Sequence, residues 1–266
     1  MRAPTRPPQG FEPVQFARGF GFVRPDARPA LEPALALASP LAQTARAWLD
    51  VIDLGGRGRI VAARPAADET QRWVVRPYLR GGLIGRFNTD LHLAVGRPRP
   101  WIEAQAIGAL ATAGVPTVEV IAGLVYPAAR RRWFRGALYR AELVTRYVPD
   151  QRELADLLFG ADHLTDASER QALLLRAGST CRAIAEAGVW HRDLNARNLL
   201  GLHHEAEVLR VLDLDRAVVG VHANPAVTRM TSRLARSLRK FETASGLRLS
   251  AEEWRAFEAG AARSRR

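Results

Sequence analysis

Apolar and polar positions along the chain change rhythm three times. Up to about residue 45, Pro, Ala and Arg recur without a sustained period, which predicts a loosely ordered extension. From Trp48 the pattern becomes strand-like. Trp48 to Leu54 reads as a strand, Gly55-Gly56-Arg57-Gly58 as a turn, and Arg59 to Ala63 as the returning strand. A third strand, Arg72 to Arg76, stops at Pro77 and leads into the loop Arg80 to Arg86. Trp101 to Ala113 carries Ile107, Leu110 and Ala111 at helical spacing, and Gly114 and Pro116 stop it. Val118 to Tyr126 and Ala137 to Val148 make five strands in all, separated by the very basic tip Arg130 to Arg135.

Beyond Pro149 the rhythm turns helical. Arg152 to Phe159 is a short amphipathic piece, and Ser168 to Ala187 a long helix closed by Gly188 at the C′ position. Glu207 to Leu212 is strand-like, and the chain from about Val227 is helical again. The predicted fold class is α+β, with residues 1–45 as an extension, 46–148 as a strand-rich lobe with one helix, and 149–266 as a mainly helical lobe.

Composition narrows this picture. A chain of 266 residues, 47% hydrophobic and 25% charged, can bury a full core. Its longest charge-free run, Ala104 to Val118, contains Pro116 and is shorter than the roughly 20 apolar residues of a membrane-spanning helix. The single cysteine, Cys181, allows no disulfide within the chain and suits a reducing cytoplasm. A net charge of +12 predicts affinity for polyanions, whether nucleic acid, anionic lipid headgroups or a phosphorylated substrate. Of the 39 basic residues only Lys240 is lysine, which restricts where a catalytic lysine can stand.

The chemistry concentrates in His191-Arg192-Asp193-Leu194-Asn195-Ala196-Arg197-Asn198, a match to the kinase catalytic-loop pattern H-R-D-L-x-x-x-N directly after a glycine-terminated helix. There an aspartate, here Asp193, reaches the acceptor hydroxyl, and an asparagine five residues on, here Asn198, reaches the metal on the nucleotide phosphates. Asp213-Leu214-Asp215 follows an apolar strand 20 residues after Asp193, a separation that suits a hairpin returning to the same metal. Asp213 then takes the place of the D-F-G aspartate, with Asp215 where glycine usually stands. Together these predict a protein-kinase-like bilobal fold: a five-stranded antiparallel N-lobe sheet with one helix, a helical C-lobe, and ATP with Mg²⁺ between them.

Other positions fit this frame less specifically. Gly56 and Gly58 would let backbone N–H groups approach the phosphates, although a plain hairpin turn uses the same residues. The third-strand cation is normally lysine; with Lys240 beyond the catalytic loop, Arg76 is the expected replacement, paired with Glu103 on the apolar face of the next helix. Asn195 stands where many protein kinases carry lysine, so charge compensation for the transferred phosphate must come from elsewhere. His191 reads as a brace for the loop. His203-His204 reads as a solvated turn. Arg229, Arg233, Arg236 and Lys240 line one face of a helix beside the stripe Met230, Leu234, Leu238 and Phe241, either a docked helix with a solvated face or a contact for anionic headgroups.

Taken in order, Gly56-Arg57-Gly58, Arg76 to Leu83, His191 to Leu200, Leu212 to Arg216 and Arg233 to Lys240 resemble the bacterial lipopolysaccharide kinases, in particular those acting on 3-deoxy-D-manno-octulosonic acid (Kdo). In that family an arginine replaces the third-strand lysine. The resemblance implies ATP-dependent phosphorylation of the Kdo 4-hydroxyl on a lipid A precursor, by a peripheral enzyme on the cytoplasmic face of the inner membrane. The expected partner is thus an anionic glycolipid, with no nucleic acid. A kinase of another lipopolysaccharide sugar or small molecule and a non-catalytic kinase-like scaffold stay open as alternatives. No Ala-Pro-Glu follows Asp213, which argues against a protein substrate.

Overall fold

The computed structural model describes residues 6–37, 39–54, 60–65, 71–79, 91–93, 96–128, 138–202 and 208–262. Gly56, Gly58, the loop after Leu79, the Arg130 to Arg135 tip and His203-His204 lie outside these residues. The chain divides into two compact units, one containing the chain up to Ala104 together with Glu119–Tyr147, the other Gln105–Val118 and the chain from Val148 on.

In chain order the first unit holds β1 (Glu12–Phe16), β2 (Gly19–Val23), α1 (Arg28–Leu35), α2 (Leu41–Thr44), β3 (Leu49–Asp53), β4 (Val61–Arg64), β5 (Trp73–Pro77) and β6 (His92–Leu93). The first residues of α3 (Arg99–Thr112), then β7 (Val120–Ala128) and β8 (Leu138–Arg146), complete it. The sheet is eight-stranded, ordered β1-β2-β7-β8-β5-β4-β3, with β6 also paired to β8. Every pairing is antiparallel.

Two expectations are corrected here. The sheet has eight strands rather than five, and the segment before residue 45 is part of this unit rather than a loose extension. β2 pairs with β7 over Phe20 to Val23, and Leu31, Leu35 and Leu41 enter one apolar cluster with Trp73, Ile121, Leu124 and Val144. Burial of these widely spaced apolar residues outweighs the weak local pattern. Pro13 is tolerated because β1 is an edge strand, where a missing N–H costs no ladder bond. Within this layer the buried Glu142 carboxylate accepts the N–H of Leu41 at 2.9 Å, the N–H of Ala42 at 3.0 Å and the Tyr126 hydroxyl at 2.6 Å. Burial pushes its carboxyl above the ordinary range.

The second unit holds β9 (Gln151–Glu153), α4 (Leu154–Phe159), α5 (Ala167–Glu186), β10 (Val189–Trp190), β11 (Leu199–Leu202), β12 (Arg210–Val211), β13 (Val218–Val219), α6 (Ala223–Ser245) and α7 (Ala251–Ala262). The helix expected from Arg152 begins at Leu154, because residues 151–153 pair with β11. Gln105–Val118 belongs to this unit, not to the first: the Pro116 carbonyl accepts the Val211 N–H at 3.1 Å. Helices α5 and α7 meet backbone to backbone. A Cβ on Gly178 would lie 2.0 Å from the Phe257 carbonyl oxygen, and one on Gly260 2.0 Å from that of Leu175. A buried Arg170–Glu253 ion pair joins the same helices.

Candidate active site

Helix α5 delivers the chain to the site. Gly188, at φ 72°, turns it out of the helix in a left-handed conformation that favours glycine. Its carbonyl accepts the N–H groups of Gly220 at 2.8 Å and Val221 at 3.1 Å. That holds the short ribbon β10–β13, from which His191 to Asn198 emerges.

The loop is fastened by its own polar groups. His191 is buried, and its Nε2 lies 2.9 Å from the Leu212 carbonyl oxygen. A carbonyl only accepts, so Nε2 carries the hydrogen. Burial holds this imidazole below its ordinary range, so it stays neutral as a brace. Asn195 caps the helical turn of residues 196–198: its Oδ1 accepts the Arg197 N–H at 2.9 Å while its Nδ2 donates to the Asp193 carbonyl at 2.9 Å. Asn198 donates Nδ2 to that same carbonyl at 3.1 Å, which leaves the amide oxygen as the end suited to a cation.

Asp213 lies beside Asn198. β11 and β12 form an antiparallel pair, Leu199 opposite Val211, and the Leu212 N–H donates to the Asn198 carbonyl at 2.9 Å. The returning hairpin expected from the spacing is therefore present. Asp213 has φ 58°, a left-handed backbone uncommon for a residue with a side chain. The neighbours impose it: Leu212 is held through both its N–H and its carbonyl, and the Leu214 carbonyl accepts the Ala217 N–H at 3.0 Å. Among the described residues no three His, Cys, Asp or Glu gather as a metal cage. One carboxylate and one amide oxygen are the donor set Mg²⁺ uses when phosphate oxygens and water complete its octahedron, so the residues present fit that ion.

The Asp193 carboxylate carries a guanidinium on each oxygen. Arg233 Nη2 lies 2.8 Å from Oδ1 and Arg216 Nη1 lies 3.0 Å from Oδ2. Neither contact was apparent from the sequence, where Arg233 appeared only as one member of a basic stripe. Of that stripe's apolar partners, Met230, Leu234 and Leu238 are fully buried, whereas Arg229, Arg236 and Lys240 are exposed.

In the first unit, Arg76 at the end of β5 donates Nη2 to both oxygens of Glu103, at 2.6 and 2.7 Å. Glu103 is only 1% exposed. The buried Tyr78 hydroxyl donates to Glu103 Oε2 at 2.5 Å, and the Arg76 guanidinium lies 4.9 Å from the Tyr78 ring centroid. The carboxylate expected to need a partner on an apolar helix face thus has Arg76 and Tyr78 as donors among the described residues. Tyr78 was missed: two residues past Arg76, its side chain shares Arg76's side of the strand.

A kinase catalytic loop braced by a buried histidine, an amide and a carboxylate brought together by a hairpin, and a cation–carboxylate pair at the end of the third strand of the meander define a phosphotransferase of the protein-kinase-like class. The chain belongs to the lipopolysaccharide kinase (Kdo/WaaP) family, whose model matches residues 49–260. It is 30% identical over 189 residues to the 3-deoxy-D-manno-octulosonic acid kinase of Photobacterium profundum, covering 70% of this chain and 73% of that one. Against the enzyme of the same name from Xanthomonas oryzae, identity is 30% over 240 residues, 87% of this chain and 86% of that one. A solved structure titled "WaaP in complex with acyl carrier protein" aligns with a TM-score of 0.55 over 94% of this chain and 88% of that one. At 16% identity it supports the shared fold alone. The chain is accordingly an ATP-dependent kinase of the lipopolysaccharide kinase family.

Proposed function

We propose that this kinase transfers the terminal phosphoryl group of ATP to the 4-hydroxyl of Kdo on a lipid A precursor. The observation that carries the reading is the likeness to proteins named Kdo kinase along most of the chain. The site chemistry supports it. Asp193 orients the acceptor hydroxyl and accepts its hydrogen, within a loop whose backbone is already fixed. Asn198, through Oδ1, and Asp213 hold Mg²⁺, which when bound neutralises phosphate charge. Arg76 contacts the β- and γ-phosphates while Glu103 keeps its fork in place.

In this reading the enzyme works as a peripheral protein on the cytoplasmic side of the inner membrane. A net charge of +12 favours an anionic glycolipid surface, and no described helix is long and apolar enough to cross a membrane. The test is incubation with labelled ATP and either Kdo-bearing or Kdo-free lipid A precursor. Label should enter only the Kdo-bearing lipid, and Asp193→Ala should abolish its incorporation while keeping the fold. Label in the Kdo-free lipid would refute the acceptor assignment, and an active Asp193→Ala variant would refute the base.

A further inference from the structure

The catalytic loop carries no cation two residues past Asp193, and its own arginines have other partners: Arg192 lies over the Trp190 ring and Arg197 pairs with Glu153. Asn195 stands where many kinases place lysine, and both ends of its amide are committed to the loop backbone, Nδ2 to the Asp193 carbonyl and Oδ1 to the Arg197 N–H, each at 2.9 Å. Being neutral, it supplies no charge toward a phosphoryl group.

Helix α6 makes up the deficit from outside the loop. Three of its residues face the loop at i, i+3 and i+7, positions that share one side of a helix. The Met230 sulfur accepts the His191 N–H at 3.4 Å, the Ser237 hydroxyl accepts the Ala196 N–H at 3.2 Å, and between them Arg233 binds Asp193. Met230, Leu234 and Leu238 are fully buried, so the helix carrying Arg233 is anchored by its own apolar stripe. Arg216, by contrast, stands on a turn and takes the other carboxylate oxygen.

The two contacts leave room for chemistry. An ionised carboxylate has about four lone-pair sites, so two guanidinium donors still leave positions for the acceptor hydroxyl. Arg233 spends one N–H on Asp193, and its side chain is 45% exposed. A guanidinium has five N–H donors in a rigid fork. From this the geometry points to a role for Arg233: we infer that it replaces the missing loop lysine, fixing Asp193 for the acceptor hydroxyl and presenting positive charge to the phosphoryl group as it is transferred. Arg216 is a second positioning residue on the opposite oxygen. This inference rests on the phosphotransfer reading above but is independent of which sugar accepts.

The experiment compares wild type with Arg233→Ala, Arg233→Lys, Arg233→Gln and Arg216→Ala, after thermal melts establish that each is folded. For each, kcat and KM are measured with the Kdo-bearing lipid, ATP hydrolysis is measured without acceptor, and calorimetry gives the affinity for Mg·ADP alone and with aluminium fluoride. Removing a charge that acts in the transition state typically lowers kcat by about 10²–10³-fold. Arg233→Ala and Arg233→Gln should fall in that range with KM for ATP little changed. Arg233→Lys should recover a large part, and Arg216→Ala should lose less than Arg233→Ala. Affinity for Mg·ADP should stay at the wild-type value while the aluminium fluoride complex weakens markedly.

An Arg233→Ala enzyme with wild-type kcat would overturn the inference. So would one that raises only the KM for the lipid and binds the fluoride complex normally, since Arg233 would then serve acceptor binding alone. The acceptor assignment fails separately: a wild type that hydrolyses ATP yet leaves the Kdo-bearing lipid unlabelled removes Kdo but not Arg233, whose variants are then scored on hydrolysis and fluoride affinity. Wild type that neither hydrolyses ATP nor binds Mg·ADP would overturn both.

Discussion

Replacing Glu103 by Gln isolates the ion pair at the end of β5. The amide keeps the volume of a side chain that is 1% exposed but removes its charge and one of its two acceptor oxygens. Arg76 Nη2 donates to both oxygens and the Tyr78 hydroxyl to one of them, and the amide cannot accept all of these. Breaking a fully buried pair costs about 3–5 kcal/mol, whereas a single charge-assisted hydrogen bond contributes about 1.5–3 kcal/mol. The Arg76 side chain is 24% exposed, so water recovers part of its solvation and the lower range applies. The expected loss is therefore about 2–3 kcal/mol, or roughly 5–10 °C in Tm at about 2–4 °C per kcal/mol for a protein of this size. Arg76 should also lose its fixed direction, raising the KM for ATP more than it lowers kcat. Thermal melts paired with steady-state kinetics make the test. A Gln variant with wild-type Tm and wild-type ATP dependence would show that the pair neither stabilises the first unit nor aims Arg76.

Three further outcomes follow from packing and burial. Gly178→Ala should destabilise despite the better helix propensity of alanine: its Cβ would fall 2.0 Å from the Phe257 carbonyl oxygen, and overpacking of about 1–3 kcal/mol exceeds a gain of at most about 1 kcal/mol; a raised Tm would contradict this. Burial holds His191 neutral below its ordinary range, so as pH falls below about 6.5 the unfolded chain takes up a proton that the folded one refuses, and stability declines by up to about 1.4 kcal/mol per pH unit. Denaturant titrations from pH 8 to 5 should show that decline weakened in His191→Asn; equal slopes would refute it. Cys181 is fully buried and its thiol is pushed up to about 12, so a thiol reagent at pH 8 should label it only after unfolding.

Local patterns in the sequence sufficed for the elements whose signals are short-range. The meander from β3 to β5, the helix through Ile107 and Leu110, and α5 with its Gly188 stop were legible because strand alternation, helical spacing and capping chemistry act over a few residues. The catalytic loop and Asp213 were legible for the same reason, since eight consecutive residues and one hairpin spacing carry their chemistry. Glu103 was legible by elimination: a carboxylate on an apolar face needs a cation, and lysine scarcity left Arg76.

Tertiary structure decided the rest. The β1–β2 hairpin joins the sheet because β7, about 100 residues later, pairs with β2, and nothing local to an Ala- and Pro-rich segment encodes that pairing. The environment of Asp193 was equally hidden. Its two arginines stand 23 and 40 residues downstream, and one of them looked like any basic residue on an amphipathic helix. Sequence by itself picked out the candidate base, the amide and the carboxylate, because their spacing is chemical. Which cations surround that base depended on where α6 buries its apolar stripe, because burial, not spacing, turns Arg233 toward Asp193.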